Sequence, residues 1–412
     1  MSFVDRRLPN RPTSGEAPFT LDETFFSRTD DRGVIKAGNY IFYRVAGFEW
    51  EEMLGAPHKI IRHPDMPRGV FWLLWDRLKK GRSVGAYVKN RAKDGLYYWV
   101  YAVMVPWGGG FLSARLKPSS PLFDQMQGEY ADLRAAEEAE GLSPEESANR
   151  LLVRLQEIGF EEYHQFATHA LSTELTARHQ GLGLSPDPRV QELMQMLGNA
   201  KDLFTQTEGL IREFDAMRTI PHNLRVIASR LEPTGGPVTT LSQNYGAMSR
   251  EMSDWFSHHV LGKDSNFATI KGSVTHSLFL ECMARVLQDC DGQLNKERRD
   301  LGGVDIDKER QILAKMVKEY AEKSRRGLRD VHDEADRILK ACDIMHRHVL
   351  GLSSTRVMCK IESARLPVAG EALTDIIAQL GVFQERITGQ LDRIAALSNS
   401  IRGLEGTAPV AG

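Results

Sequence analysis

The chain has 412 residues, more than one ordinary hydrophobic core holds, so two or more folding units are expected. Its 53 lysines and arginines nearly balance its 55 aspartates and glutamates, which leaves a formal net charge of -2. Such a balance supplies no field that attracts polyanions, and nucleic acid is therefore not an expected partner.

The amino-terminal segment and the cysteines favour a reduced protein that is not exported. Residues 1–19 are rich in proline, glycine and charge, which predicts a mobile tail without the apolar core of a signal peptide. The most apolar run, from Tyr97 to Trp107, is far shorter than the roughly 20 residues of a membrane-spanning helix. We therefore expect a cytoplasmic location without membrane insertion. The cysteines form no CxxC pair and are predicted to be reduced core residues: Cys282, Cys290, Cys342 and Cys359.

Residues 20–118 have the pattern of a small α+β domain. Turn signals recur every few residues, and between them lie five runs rich in aromatic and β-branched residues, namely TFFSRT, GVIKA, SVGAYVKNRA, LYYWVYAVMVPW and GFLSARL. About 45 residues with helical spacing separate the second run from the third. In RGVFWLLWDRLKKG, one helical face is formed by Val70, Leu73, Leu74, Arg77 and Leu78. The prediction is a five-stranded antiparallel sheet with helices across one side.

The rest of the chain is predicted to be helical. Residues 119–188 are interpreted as a helical linker, residues 189–405 as an elongated helical bundle or coiled coil, and residues 406–412 as a tail. A seam with steps of three and four is predicted at Leu313, Val317, Tyr320, Ser324, Leu328, Val331, Ala335, Ile338, Cys342, Met345, Val349 and Leu352.

Proline and glycine clusters indicate where the helices break. Breaks are predicted near residues 181–188, 233–237, 262–264, 302–303 and 367–370, with degenerate hairpin turns near 233–237 and 367–370. The segments that begin at Arg225 and Arg356 are similar in pattern, each a helix, a turn and a second helix, which weakly suggests an internal repeat.

The segment HKIIRHPDMP, residues 58–67, concentrates polar chemistry just before a helix rich in aromatic residues. A flavin dinucleotide requires cations for its pyrophosphate, apolar walls for its ring and amide groups for the ring edge. Arg62, His63, Asn90 and Trp99 offer these groups. The alternative is structural: Asp65 caps the helix, with Pro67 in its first turn, and the tryptophans fill the core. Spacing alone leaves both interpretations open.

Residues 29–115 resemble the PAS domain of aerotaxis receptors. The resemblance lies in the blocks NYIFYRVAGFEWEEMLGAPHKIIRHPDMP, WDRLKKG and VKNRAKDGLYYWV. It implies non-covalent binding of FAD, and the family's motif residues correspond here to Asn39, Arg62, His63, Asp65, Asn90 and Trp99. The chain departs from the family pattern at GNYIF, where Tyr40 replaces a small acidic or polar residue.

Two other cofactor chemistries differ in how well they agree with the sequence. Light sensing through a cysteinyl flavin adduct is excluded, because no cysteine precedes Cys282. Haem b remains an alternative to FAD, since His58 or His63 could supply an axial imidazole.

No kinase or cyclase motif is recognisable in the helical region, and we expect a protein that is not an enzyme. The segment NLRVIASRLEP and the GGPVTTLSQNYGAMS that follows it resemble the cytoplasmic hairpin tip of chemoreceptors, although the tip arginine is missing and Pro233 and Pro237 interrupt the helix. This resemblance implies a homodimer, with the chemotaxis coupling protein, the chemotaxis histidine kinase or other chemoreceptors as partners. The predicted function is a cytoplasmic redox or oxygen sensor for energy taxis. The alternatives are a haem-based oxygen sensor and a PAS-containing scaffold without a cofactor.

Overall fold

The computed structural model describes residues 11–217, 222–226, 229, 237–260, 266–297, 304–365 and 370–404. Contacts between residues divide the chain into two compact units. The first comprises Met1–Gln191 and Thr275–Arg325, and the second comprises Glu192–Val274 and Arg326–Gly412. The segment interpreted above as a linker, residues 119–188, therefore belongs to the same unit as the α+β domain, as do two stretches of the predicted bundle.

The first unit contains the predicted five-stranded sheet, in the strand order β2-β1-β5-β4-β3 with every neighbouring pair antiparallel. The strand bounds agree with the predicted runs to within two residues. Gly108 and Gly109 have φ angles of 54° and 77°, the left-handed region that glycine adopts freely, so β4 turns back into β5 at once. The strands are β1 (Phe25–Asp30), β2 (Ile35–Gly38), β3 (Val84–Arg91), β4 (Tyr97–Trp107) and β5 (Gly110–Leu116).

Short helices and one long helix cross one face of this sheet. They are α1 (Tyr40–Ala46), α2 (Trp50–Met53), a 3₁₀ turn (His58–Ile61) and α3 (Arg68–Lys79). The predicted apolar face of α3 is confirmed, since its aliphatic members are buried and Arg77 is half-buried. Pro67 occupies the N-cap position of α3, so the interpretation of Asp65 as the cap is wrong. Asp65 is exposed and pairs with Lys89 instead.

The described part of the predicted tail, residues 11–19, packs against the sheet instead of remaining free. Arg11 forms an ion pair with Asp94, and the backbone N–H of Ala17 donates to the carbonyl oxygen of Tyr97 at 2.7 Å. The ring of Phe19 meets that of Phe25 edge-on at 5.0 Å between centroids. The buried aromatic contact offsets a composition that by itself indicates disorder.

Helices α4 (Pro121–Glu140) and α6 (Tyr163–Gly181) cover the opposite face of the sheet, while α5 (Pro144–Glu157) packs mainly against α3. The hydroxyl of Tyr101 donates to the carbonyl oxygen of Ala167 at 2.8 Å, and the hydroxyl of Tyr87 donates to the Glu174 carboxylate at 2.8 Å. These bonds tie α6 to β3 and β4. The sheet is therefore buried on both sides.

The remaining helices are α7 (Pro188–Met217), α8 (Pro237–Val260), α9 (Asn266–Lys296), α10 (Ile306–Arg365) and α11 (Gly370–Gly403). Every residue of the predicted seam lies on α10 and is buried, except Val317, which is half-buried. Of the predicted breaks, the one at 181–188 is confirmed. Those near 262–264 and 302–303, and the hairpin turns apart from Pro237 and Gly370, lie outside the described residues. No helix in the described part of the chain is long and apolar enough to cross a membrane.

Candidate functional site

A cavity of about 320 Å³ lies between the inner face of the sheet and α3. Because side chains alternate along a strand, residues two apart on each strand point into it. The sheet contributes Ser27 and Thr29 from β1, Asn90 from β3, and Ser113 and Arg115 from β5. The opposite wall is apolar and is formed mainly by Phe71, Leu74, Trp75 and Leu78 of α3. A mostly apolar hollow with a few converging polar groups is the usual form of a small-molecule site.

Three polar atoms on the sheet side of the cavity are buried and have no hydrogen-bond partner in the part of the chain that the structure describes. They are Nδ2 of Asn90, Oγ of Ser113 and Nη1 of Arg115. Their side chains belong to residues that are 3%, 7% and 3% exposed, respectively. An unmade buried hydrogen bond costs about 1–3 kcal/mol, and more for a charged group, so three around one cavity indicate a missing partner.

Arg115 is the charged group of the cavity and makes hydrogen bonds only to neutral groups. Its Nη2 donates to Oγ of Ser27 at 2.8 Å and lies 2.6 Å from Nε2 of His58. Burial lowers the pKa of Arg115 to about 10, which still leaves it protonated at neutral pH. The cavity therefore holds a positive charge without a carboxylate partner among the described residues.

His58 is held neutral by its surroundings. Burial lowers its pKa well below the usual value, and the nearby charges of Arg115 and Arg62 lower it further. Because a guanidinium has no acceptor, Nε2 of His58 accepts the hydrogen bond from Arg115. The imidazole stacks on Phe42, with 5.9 Å between ring centroids.

Arg62 stands at the rim of the cavity. Its guanidinium carbon lies 3.6 Å from the centre of the Phe71 ring, a cation–π contact, and its backbone bridges to Asn90 of β3. Burial lowers its pKa. A second hollow, of about 390 Å³, adjoins the cavity across Arg62 and Phe71. It is lined by His63, whose pKa burial lowers, and by four arginines, namely Arg62, Arg68, Arg91 and Arg134.

Asn39, predicted as a cofactor residue, lies away from the cavity lining and caps α1. Its Oδ1 accepts from the backbone N–H groups of Phe26 and Phe42 at 3.0 and 3.2 Å. Its Nδ2 donates to the carbonyl oxygen of Thr24 at 2.8 Å and to the Glu297 carboxylate at 3.2 Å. The hydrogen-bonding capacity of Asn39 is thus used in joining β1 to α1.

His63 and Asp65 also lie outside the cavity. Nδ1 of His63 accepts from the backbone N–H of Asp65 at 3.2 Å, and its ring meets that of Tyr97 edge-on. The Asp65 carboxylate accepts from Nζ of Lys89 at 2.6 Å, and this contact is the main cause that lowers its pKa. His63 is therefore placed in the basic hollow, with Asp65 beside it.

Trp99 points to the other face of the sheet. It lies on β4 one residue from Val100, and its ring packs against Phe123 and Tyr130 of α4 at 5.4 and 6.4 Å between centroids. Of the six predicted residues, the structure thus brings Arg62 and Asn90 together at the cavity, leaves His63 and Asp65 next to it, and places Asn39 and Trp99 elsewhere.

Sequence reasoning missed Ser113 and Arg115 and weighed His58 only as a haem ligand. The signal was present in GFLSARL, where Phe111, Ser113 and Arg115 share one face of an otherwise apolar strand. A lone arginine on the inner face of a buried strand indicates a functional site more strongly than polar residues in a loop do.

Comparison with known proteins agrees with this architecture. A family model of the PAS fold matches residues 38–108. The aerotaxis receptor of Escherichia coli (strain K12) is 36% identical over 128 residues, which are 30% of this chain and 25% of the receptor. The match thus spans about a quarter of the receptor's length. The first unit thus contains a PAS domain whose sequence is similar to that of the aerotaxis receptor.

Proposed function

From this PAS domain, we propose that the protein is a redox or oxygen sensor for energy taxis that holds FAD non-covalently and relays its state to the helices. The observation that carries the proposal is the apolar cavity with three unpaired polar atoms and one charge without a carboxylate partner. A ligand with an aromatic body and hydrogen-bonding edges would satisfy all of these groups at once.

The polarity of the cavity lining suits the isoalloxazine ring of FAD. Phe71 and Trp75 supply the apolar wall, while Asn90, Ser113 and Arg115 supply donors on the opposite side. Ring carbonyl and nitrogen atoms are acceptors, and Arg115 adds a positive charge that favours a ring carrying more electrons. Bound flavin would supply the redox chemistry; the residues of the chain would orient it and shield it from water.

The basic hollow beside the cavity suits the pyrophosphate of the dinucleotide. Arg62 lines both spaces, and Arg68 and Arg91 lie on the hollow's wall. Arginine binds phosphate with paired hydrogen bonds, so these side chains would hold the part of FAD that extends beyond the cavity of about 320 Å³.

Strand β1 is the proposed path from the cavity to the helices. Ser27, which accepts from Arg115, faces the cavity, whereas Arg28 points to the opposite face. There the Glu309 carboxylate of α10 accepts from Nη2 and Nε of Arg28 at 2.6 and 2.9 Å. Sγ of Cys290 in α9 lies 3.4 Å from the carbonyl oxygen of Phe25. A change in flavin charge would move Arg115 and, through one strand, these helix contacts.

Haem b has less support as the occupant. His58 uses Nε2 to accept from Arg115, and His63 lies outside the cavity, so neither imidazole points a free nitrogen into it. A scaffold without a cofactor leaves the unpaired atoms of Asn90, Ser113 and Arg115 without an explanation.

The output is proposed to be non-enzymatic and cytoplasmic. By resemblance to an aerotaxis receptor, the proposed partners are a second copy of the chain, the chemotaxis coupling protein, the chemotaxis histidine kinase or other chemoreceptors.

The visible absorption spectrum of the purified full chain tests the proposal. Two bands of oxidised flavin that bleach on reduction are expected, with the released cofactor identified as FAD by chromatography. A Soret band would favour haem instead. A colourless protein that does not take up FAD would contradict the proposal.

A further inference from the structure

A second, larger cleft of the first unit lies away from the basic hollow. Its volume is about 960 Å³, and it is open to solvent. The turn after α3, the β4–β5 turn, the start of α6 and the facing stretches of α9 and α10 form its walls. Aromatic side chains contribute to those walls, including Trp107, Phe111 and Tyr320.

Cationic side chains without ion-pair partners converge on this cleft. The guanidinium of Arg77 is half-buried and stacks on the ring of Tyr163, with 4.7 Å from its central carbon to the ring centre. Arg82 and Lys79 line the same cleft and are exposed. None of these three side chains forms an ion pair within the described residues. Lys323, the fourth lysine or arginine of the cleft, pairs with Glu319 at 2.7 Å.

Two imidazoles stand among these cations. The rings of His164 and His276 are 5.5 Å apart between centroids, and Nε2 of His164 is buried without a hydrogen-bond partner among the described residues. Burial, together with the charges of His276, Arg77 and Arg82, lowers the pKa of His164 to about 4. The positive charges of the cleft therefore favour an anion over a cation as the occupant. The buried Nε2 of His164 remains unpaired within the described residues.

The carboxylates of the cleft do not neutralise this cluster. Glu319 is engaged by Lys323, and the other two, Asp31 and Glu162, are exposed to solvent. Exposed charges are screened by water and salt, so they offset the half-buried Arg77 only weakly.

We propose that this cleft binds a small phosphate-bearing anion with an aromatic body, the chemistry of a nucleotide. Arg77 and Arg82 would bind the phosphates, since a guanidinium fork matches phosphate oxygens. The ring would lie against Trp107 or Tyr320. The site is distinct from the proposed flavin cavity but shares Leu78 and Phe111 with its wall. An occupant of the cleft would therefore contact Leu78 and Phe111, which a ligand of the cavity also contacts.

Isothermal titration calorimetry of the full chain with ADP and with inorganic pyrophosphate tests this proposal. Binding of both probes, weakened by added salt, is expected. Arg82→Gln should weaken binding about tenfold, the loss of one charge-assisted contact. Lys318→Gln is the matched control, because Lys318 is exposed on α10 and does not line the cleft.

The exposure of Arg82 keeps the test interpretable, since its replacement leaves the packing of the core unchanged. Absence of detectable binding by both probes at a concentration of about 1 mM would overturn the proposal. Equal affinity in Arg82→Gln and wild type would overturn it as well, and binding of pyrophosphate without ADP would refute the aromatic part. The flavin content of Arg82→Gln should equal that of wild type, so a failure here is separate from a failure of the flavin proposal.

Discussion

The two faces of the sheet differ in how completely their polar groups are paired. On the face toward α6, the hydroxyls of Tyr87, Tyr101 and Tyr163 each donate to an acceptor, and Tyr130 is the unpaired tyrosine there. On the cavity face, an amide, a hydroxyl and a guanidinium nitrogen remain unpaired around one hollow. The face toward α6 is paired as a protein interior is, whereas the cavity face presents polar atoms that a bound ligand would satisfy. Unpaired polar atoms indicate a ligand site most strongly where several of them converge on one cavity.

The largest expected effect is on the cavity face. Arg115→Gln removes the charge of the cavity together with the bonds to His58 and Ser27, so we expect FAD affinity to fall about a hundredfold. Fluorescence titration of FAD measures it. Trp99→Phe is the matched control on the opposite face and should bind FAD as wild type does. Equal loss in both variants would break the distinction between the faces.

The next effect concerns the paired face. The buried Glu174 carboxylate accepts from the hydroxyls of Tyr87 and Ser120 and from the backbone N–H groups of Ser119 and Ser120. Glu174→Ala leaves these donors without a partner, and we expect the free energy of unfolding to fall by about 2 kcal/mol. Urea denaturation measures the loss. Flavin bound per folded chain should stay unchanged, and a selective loss of flavin would contradict the assignment of this face to stability.

The free energy of unfolding is expected to depend on pH through Glu297, which follows the end of α9 and contacts α1. The Glu297 carboxylate accepts from the backbone N–H of Tyr40 at 2.7 Å, and burial raises its pKa to about 7. Because the unfolded chain loses this proton at lower pH than the folded chain does, the free energy of unfolding falls as the pH rises from about 4.5 to about 7.

Glu297→Gln keeps an acceptor oxygen for Tyr40 but removes the titration. Denaturation at pH 5 and pH 7.5 should therefore show a smaller difference in this variant than in wild type. A single titrating group changes the free energy of unfolding by at most about 1.4 kcal/mol per pH unit. An unchanged pH dependence would show that Glu297 is not its source.

The smallest effect is expected at the contact between β1 and α10. Glu309→Gln weakens the paired hydrogen bonds to Arg28, which is partly exposed. The population in which the first part of α10 is locally open should therefore rise about tenfold, without loss of flavin. Hydrogen exchange of residues 306–325 measures it. Exchange that is unchanged in the variant would argue against β1 as the path to the helices.

Much of the fold follows from local pattern. Runs in which every second side chain faces the same side, separated by glycine turns, determine the strands. The spacing of Leu313, Leu328 and Leu352 reflects the buried seam of α10. The packing of residues 11–19 does not follow from local pattern, since it depends on contacts with the distant residues Asp94 and Tyr97.

The candidate site was predictable in part. Arg62 and Asn90 were identified through the family resemblance, and both line the cavity. Trp99 was predicted as a cofactor residue but lies on the other face of the sheet, against Phe123 and Tyr130. Membership of a motif does not give the register of a strand, which decides the face of each side chain. Arg115 was missed because it lies outside the polar segment at residues 58–67. The alternation of side chains along β5 is enough to predict that Arg115 points into the cavity.

The most direct test of the account is FAD uptake by the full chain after any bound ligand has been removed. About one FAD per chain and a higher melting temperature on uptake are expected, because the ligand would supply partners to Asn90, Ser113 and Arg115. A chain that takes up no FAD and melts at the same temperature with and without it would contradict the account.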